Sequence, residues 1–170
     1  MVRAAAEPDG DTIFIAALDS FKDLNVAVWD GNAWSDSREL DTTSNTTEGQ
    51  ALDVAWEQAG EDVLVAWGSG SASSNISYFT WRKGTALTDH AVRTGPGFGD
   101  QVQNVRLLPV SGSQRIIALV MCTGRQLRYS VWSGSGFGSN PAVDVDPKLS
   151  GGDVNYEISE SGVTYTGGAG

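Results

Sequence analysis

The chain has 170 residues, a formal net charge of −10 and a sequence pI near 4.3. That balance excludes a nucleic-acid binder, because such binding rests on Lys and Arg neutralising phosphates, and it disfavours acidic membrane surfaces. The length suits one domain with a sizeable core, and no apolar run approaches the roughly 20 residues of a membrane helix. The start, Met1 to Ala6, lacks the apolar centre of a signal peptide. A single cysteine, Cys122, allows no intrachain disulfide, and its neighbours Leu119, Val120 and Met121 predict a buried, inert thiol.

Val2-Arg3 opens the first unit, and Pro8-Asp9-Gly10-Asp11 reads as a turn. Ile13 to Leu18 is a near-continuous apolar run that fits a strand buried on both faces or a short helix, and the flanking turns and Ile content favour the strand. Lys22-Asp23 is a polar turn, after which Leu24, Val26 and Val28 alternate with Asn25, Ala27 and Trp29. Asp30-Gly31 between apolar segments predicts a tight hairpin, because glycine takes a positive φ without steric cost. Trp34 then opens a more polar fourth strand, and Asp41 to Gln50 reads as a loop.

The second unit starts with Leu52 to Glu57, followed by Asp62 to Trp67. Ser69 to Asn75 is a Ser- and Gly-rich loop, and Ile76 to Trp81 a third strand. Thr85 to Val92 is expected to supply the fourth, with a loop over Gly95 to Gly99.

The third unit returns to the first pattern. Arg115 to Asp144 aligns with Thr12 to Asp41 without a gap: Trp132 falls on Trp29, Gly134 on Gly31 and Phe137 on Trp34. Val105-Arg106 matches Val2-Arg3 at the same spacing. Asp153-Val154-Asn155-Tyr156-Glu157 then matches Asp53-Val54-Ala55-Trp56-Glu57 of the second pattern. Two kinds of unit, each of roughly 50 residues, therefore alternate, with boundaries near 2–50, 51–101, 102–152 and a partial 153–170. Four short strands per unit, with no convincing helical period, predict an all-β array of four-stranded antiparallel blades like those of a β-propeller. Three and a fraction blades leave the ring incomplete within one chain, since propellers typically have about four to eight. The expected remedies are self-association, a partner chain completing the ring or an edge, or stacked sheets.

The units resemble bacterial extracellular repeat proteins with serial "WDG-x-W" and "DVAYE" blades, here Trp29 to Trp34 and Asp53 to Glu57. A weaker resemblance is to the small-blade fucose lectins, which carry a "W-D-G-x-G-W" hairpin. That resemblance implies sugar held by a Glu three residues before the first Trp and an Arg on the preceding strand. Val26, Tyr78 and Tyr129 stand at the Glu position, and Thr12 stands where Arg115 begins the matching strand. Only the aromatic platform is retained.

Trp29, Trp81 and Trp132 are expected to be structural, buried at equivalent places on third strands. Trp34 and Phe137, with Asp30 and Asn32 of the hairpin turn, are the candidate ligand-binding residues. The acidic turns Asp9/Asp11, Asp30/Asn32 and Asp144/Asp146 lack calcium-loop spacing, so no metal site is expected. Asn45-Thr46-Thr47 and Asn75-Ile76-Ser77 fit the glycosylation sequon. His90 is the only histidine, and no nucleophile elbow or phosphate loop is present. Asp53/Glu57 recurs as Asp153/Glu157, which points to structure rather than to a catalytic carboxylate pair.

These features predict a non-catalytic structural or adhesive β-repeat subunit without cofactors, acting by self-association, in a surface filament for example. The Gly-, Ser- and Thr-rich, Lys-poor composition suits a secreted or surface protein, so an extracellular or cell-surface place is the expectation. The alternative is a carbohydrate-binding, lectin-like propeller module with glycans as partners.

Overall fold

The computed structural model describes residues 1–44, 51–70, 73–123, 126–138, 143–146, 154–159 and 162–167. The first sheet contains β1 (Val2–Ala6), β2 (Ile13–Leu18), β3 (Leu24–Trp29) and β4 (Trp34–Asp41). The second contains β5 (Leu52–Trp56), β6 (Asp62–Gly68), β7 (Asn75–Arg82) and β8 (Arg93–Gly97). The third contains β9 (Val102–Pro109), β10 (Ile116–Cys122), β11 (Leu127–Trp132) and β12 (Val143–Asp146). β13 (Val154–Ser159) and β14 (Gly162–Gly167) form an antiparallel pair in which Tyr156 faces Tyr165. Each four-stranded sheet is an antiparallel meander in chain order.

The turn chemistry repeats with the sequence. In the first sheet the Asp30 amide donates to the Ala33 carbonyl at 3.0 Å, and Gly31 takes φ +98°. In the third, the Ser133 amide donates to the Gly136 carbonyl at 3.0 Å, and Gly134 takes φ +94°. Beyond each turn the same aromatic pair meets, Trp29 opposite Trp34 and Trp132 opposite Phe137.

The first strands β1, β5 and β9 lie side by side on the inner edge. Trp56 Nε1 donates to the Ala5 carbonyl at 2.9 Å, and the Leu107 amide donates to Asp53 Oδ2 at 2.8 Å. The outermost strands are β4, β8 and β12, and Pro96 is tolerated in β8 because an edge strand need not donate from every residue.

The second sheet is packed on both faces, and period-two alternation divides its side chains between two cores. Val63, Val65, Trp67, Phe79 and Trp81 face the first sheet's Phe14, Leu24, Val26 and Val28. Leu64, Ala66, Ile76 and Tyr78 face the third sheet's Val105, Ile116, Ala118 and Trp132. β6 is consequently buried along almost its whole length.

Two expectations are corrected. Ile13 to Leu18 is a strand, but it is buried on one face only: Phe14, Ala16 and Leu18 are covered, whereas Ile13 is 36% exposed. No described sheet covers its other side. The fourth strand of the second unit is Arg93–Gly97, not Thr85 to Val92, so it takes in the first half of the loop expected over Gly95 to Gly99. Leu87–Asp89 instead makes a short 3₁₀ turn that drives Leu87 into the core. Asp36 and Arg38 of β4 take up its backbone groups, the Leu87 amide donating to Asp36 Oδ2 at 2.9 Å. Arg38 Nη1 donates to the Leu87 and His90 carbonyls at 2.8 and 2.6 Å. A strand there would forfeit this latch between sheets.

Candidate functional site

The hairpin Trp29–Trp34 was singled out by its aromatic and turn residues, and its geometry separates their roles. Asp30 Oδ1 accepts from the Asn32 and Ala33 amides at 2.9 and 2.8 Å. These bonds hold its fully exposed carboxyl below the usual carboxylate range, Ala33 contributing most. Asp30 is thus committed to the turn. Asn32 is exposed, and its amide is the group the turn uses. Trp34 is 57% exposed and stands edge-on to Trp29, with ring centroids 5.7 Å apart at 72°.

Phe137 occupies the equivalent place in the third sheet, yet it is only partly exposed. It meets Trp132 at 5.7 Å and 71°, the geometry of Trp29 with Trp34. It also meets Tyr78 of the second sheet at 5.3 Å and 80°. The two aromatic pairs are therefore alike internally and differ in whether another sheet stands beside them.

The same distinction governs the three strand tryptophans. All lie at or next to the end of third strands: Trp29 ends β3, Trp132 ends β11, and Trp81 is the last residue but one of β7. Trp81 and Trp132 are 4% and 3% exposed, whereas Trp29 is half-buried. Trp81 packs toward the first sheet and Trp132 toward the second. Trp29 lies with Ile13, Ile15, Ala17 and Ala27 on the first sheet's outer face, beside a shallow groove.

The sequence did not reveal a second cluster, on the inner strands. Asp53 is buried between Arg3 and Arg106: Arg3 Nε lies 3.8 Å from Oδ1 and Arg106 Nη1 3.4 Å from Oδ2. Burial raises the Asp53 carboxyl above its ordinary range, against the Leu107 amide and the Arg106 charge. Glu57 is raised by burial as well, although Trp132 Nε1 donates to its Oε1 at 2.8 Å. The signal available in the sequence was the matched spacing of Arg3 and Arg106, but their convergence on Asp53 is a tertiary fact.

The remaining candidates have structural partners. His90 Nε2 lies 2.7 Å from Thr85 Oγ1, and its ring meets Phe79 edge-on. The Cys122 thiol is buried against the Phe98 carbonyl, and burial pushes it up to about 11. Asn75 begins β7 and donates from Nδ2 to the Gly95 carbonyl at 3.2 Å. The Asn45 sequon lies outside the described residues, and Asp144 and Asp146 lie in β12. Among the described residues no three His, Cys, Asp or Glu side chains converge as a cation site.

No protein-family model matches the chain, and no curated protein matches it. Solved structures do. One is SapL1 lectin in complex with alpha methyl fucoside: TM-score 0.54, 16% identity, covering 96% of this chain and 55% of that one. Another is the fungal Aleuria aurantia lectin, described as a six-bladed β-propeller with a novel fucose recognition mode. There the TM-score is 0.50 with 18% identity, covering 91% of this chain and 49% of that one. The chain spans about half the length of these solved structures. At such identities the likeness concerns fold: successive antiparallel four-stranded sheets, first strands innermost, arranged as β-propeller blades.

Proposed function

We propose that the chain is a non-catalytic β-propeller repeat unit that works by blade-on-blade association with a second copy of itself. One observation carries this reading. The outer face of the first sheet is register-equivalent to the face by which the third sheet buries the second. Ile116, Ala118 and Val120 are 0% exposed and Trp132 3%, all against the second sheet. Their counterparts Ile15, Ala17 and Trp29 are only partly buried, and Ile13 is 36% exposed. Trp34 extends the same face and lacks only a neighbour like the Tyr78 that flanks Phe137.

The alternation of units supports a particular docking. The face in question belongs to a first-type sheet and follows a second-type sheet in the third unit. β13 and β14 carry the second-type sequence, by the match of Asp153–Glu157 with Asp53–Glu57. A second copy's β13–β14 end is therefore the occupant the pattern supplies, in a head-to-tail arrangement that closes as a ring or grows as a filament. Composition rich in Gly, Ser and Thr and poor in Lys supports a place outside the cell. The non-catalytic part of the reading rests on the occupied state of Asp53, Glu57 and His90, each bonded within the fold.

Size-exclusion chromatography with light scattering tests the association. Wild type is expected to exceed its 17.9 kDa monomer mass as concentration rises. Ile15→Glu, which places a charge on the half-exposed outer face, is expected to hold the chain monomeric without lowering its melting temperature. A wild type that stays monomeric at the highest soluble concentration overturns the proposal.

Carbohydrate binding is the second reading, favoured by the exposed indole of Trp34 and by the fact that both compared proteins are lectins. An exposed aromatic face stacks well against the apolar face of a sugar ring. A glycan array is expected to give hits for wild type and to lose them for Trp34→Ala. Hits that survive Trp34→Ala would remove the platform from consideration. The two readings part at this residue, since association covers the ring that a glycan would need.

A further inference from the structure

We propose that the second copy seated on the first sheet is selected by the Trp29 indole, whose Nε1 donates to a glutamate carboxylate of that copy. The inference rests on the association proposed above and names the contact that fixes which end of the partner docks.

The chain has six tryptophans, and four of their indoles donate within the fold. Trp56 and Trp81 donate to the Ala5 and Thr85 carbonyls, each at 2.9 Å. Trp67 donates to Asp41 Oδ2 at 2.7 Å, and Trp132 to Glu57 Oε1 at 2.8 Å. Trp29 and Trp34 have no acceptor among the described residues. Trp34 is mostly exposed, so water serves its N–H. Trp29 is half-buried, and whatever covers the outer face removes its remaining water. A donor covered without an acceptor costs free energy, so an occupant of this face must bring one.

The third sheet shows what fits. Trp132 is repeat-equivalent to Trp29, and its Nε1 reaches across the seam to Glu57, which is 2% exposed. Two further polar contacts cross the same seam. The Leu107 amide donates to Asp53 Oδ2, and the Gln58 and Ala59 amides donate to the Ser113 carbonyl at 3.0 and 3.1 Å. Counterparts of the third sheet's groups are in place on the first. Ala4 shares the register of Leu107, which turns its amide away from β2, and Gly10 stands in sequence where Ser113 stands. Neither the Ala4 amide nor the Gly10 carbonyl has a partner among the described residues. The first sheet thus presents two donors and one acceptor at places where the third sheet is bonded to a second-type unit.

Apolar contact is non-directional and accepts many surfaces. Polar groups fixed by the sheet register accept only a surface that matches them, because each one left unpaired is penalised. The second-type sequence supplies the match: Asp153 and Glu157 stand where Asp53 and Glu57 stand, at the same spacing. A bond from an indole to an ionised carboxylate is stronger than one between neutral groups. Trp29 is therefore the group on which partner choice turns.

Sedimentation equilibrium of the full 170-residue chain over a concentration series provides the test. Trp29→Phe keeps an aromatic ring and removes only the N–H. It is expected to weaken association by about tenfold or more, the range for a hydrogen bond to a charged group, and to leave the melting temperature of the dilute monomer unchanged. Glu157→Ala is expected to weaken association to the same extent. The double variant should be no weaker than either single one, because all three remove one contact. In ¹⁵N-labelled wild type, the indole resonance identified by its loss in Trp29→Phe is expected to move downfield and exchange slowly with water as concentration rises. Association undiminished in Trp29→Phe, losses that add in the double variant, or an indole that still exchanges freely in the associated state each overturn this inference and leave association standing. A wild type that never associates overturns the association reading, and this contact with it.

Discussion

Trp132→Ala is expected to lower unfolding free energy by about 3–5 kcal/mol, the range for large-to-small changes at a packed aromatic. The indole is 3% exposed and meets Tyr78 at 5.7 Å and Phe137 at 5.7 Å. Its Nε1 donates to Glu57 Oε1 at 2.8 Å, so truncation also strips a buried carboxyl of its donor. Both losses fall on the seam between the second and third sheets. The informative comparison is Trp29→Ala, at the repeat-equivalent place on a half-exposed face. Its cost in a monomer should stay below about half that of Trp132→Ala, because less area leaves water on folding. Urea unfolding of both variants, read as midpoint shifts at constant slope, measures the difference. Equal costs in dilute monomer would mean that the two sheets are not equivalent as aligned. Equal costs appearing only at high concentration would instead mark the first sheet's face as covered by association.

The repeat and the all-β architecture were legible because they rest on local chemistry. Asp30-Gly31 and Ser133-Gly134 make the same turn with the same backbone bond, and the aromatic residues beyond them follow in register. Alternation in Leu24, Val26 and Val28 gave one face of β3 directly. The segment Thr85 to Val92 was misread because its conformation is decided elsewhere. Its carbonyls are satisfied by Arg38, a residue remote in sequence, and Leu87 is held in a core shared with the first sheet. Ile13 to Leu18 was misread for a related reason. An apolar run discloses what a strand is able to bury, while neighbouring sheets determine what it does bury.

The candidate site shows the same division. Sequence singled out Trp34 and Phe137 as a matched pair, and the structure gives them matched geometry against Trp29 and Trp132. It then separates them by the presence of Tyr78 beside one alone among the described residues. The inner Arg3–Asp53–Arg106 cluster was not legible, because no local pattern links residues on three different sheets. Only the blade arrangement brings their first strands side by side.

Asp53→Ala carries the second large expected effect, a loss of about 3 kcal/mol, since removing one member of a buried charged set strands its partners. The change removes the acceptor of the Leu107 amide and a counter-charge that faces both Arg3 and Arg106. The two arginines retain some solvent contact, with side chains 21% and 17% exposed, which places the value at the lower end of the usual range. Asp53→Asn keeps an acceptor for the Leu107 amide and should cost less than alanine. The two variants also differ from wild type in their response to pH. Burial raises the Asp53 carboxyl, so the folded chain holds this proton more readily than the unfolded chain. Its contribution to stability is then greatest below the unfolded value and declines as pH rises through the folded value. Asp41 runs the other way. Burial opposes its charged form, but hydrogen bonds from Trp67 and Thr43 hold it low, so its contribution is lost on acidification. Unfolding curves between about pH 4 and pH 7, the range above ordinary carboxylate values, should show the Asp53 component in wild type and not in Asp53→Asn. A loss below about 0.5 kcal/mol for Asp53→Ala, the level of an ordinary surface change, would show that the three inner strands are held together without this carboxylate.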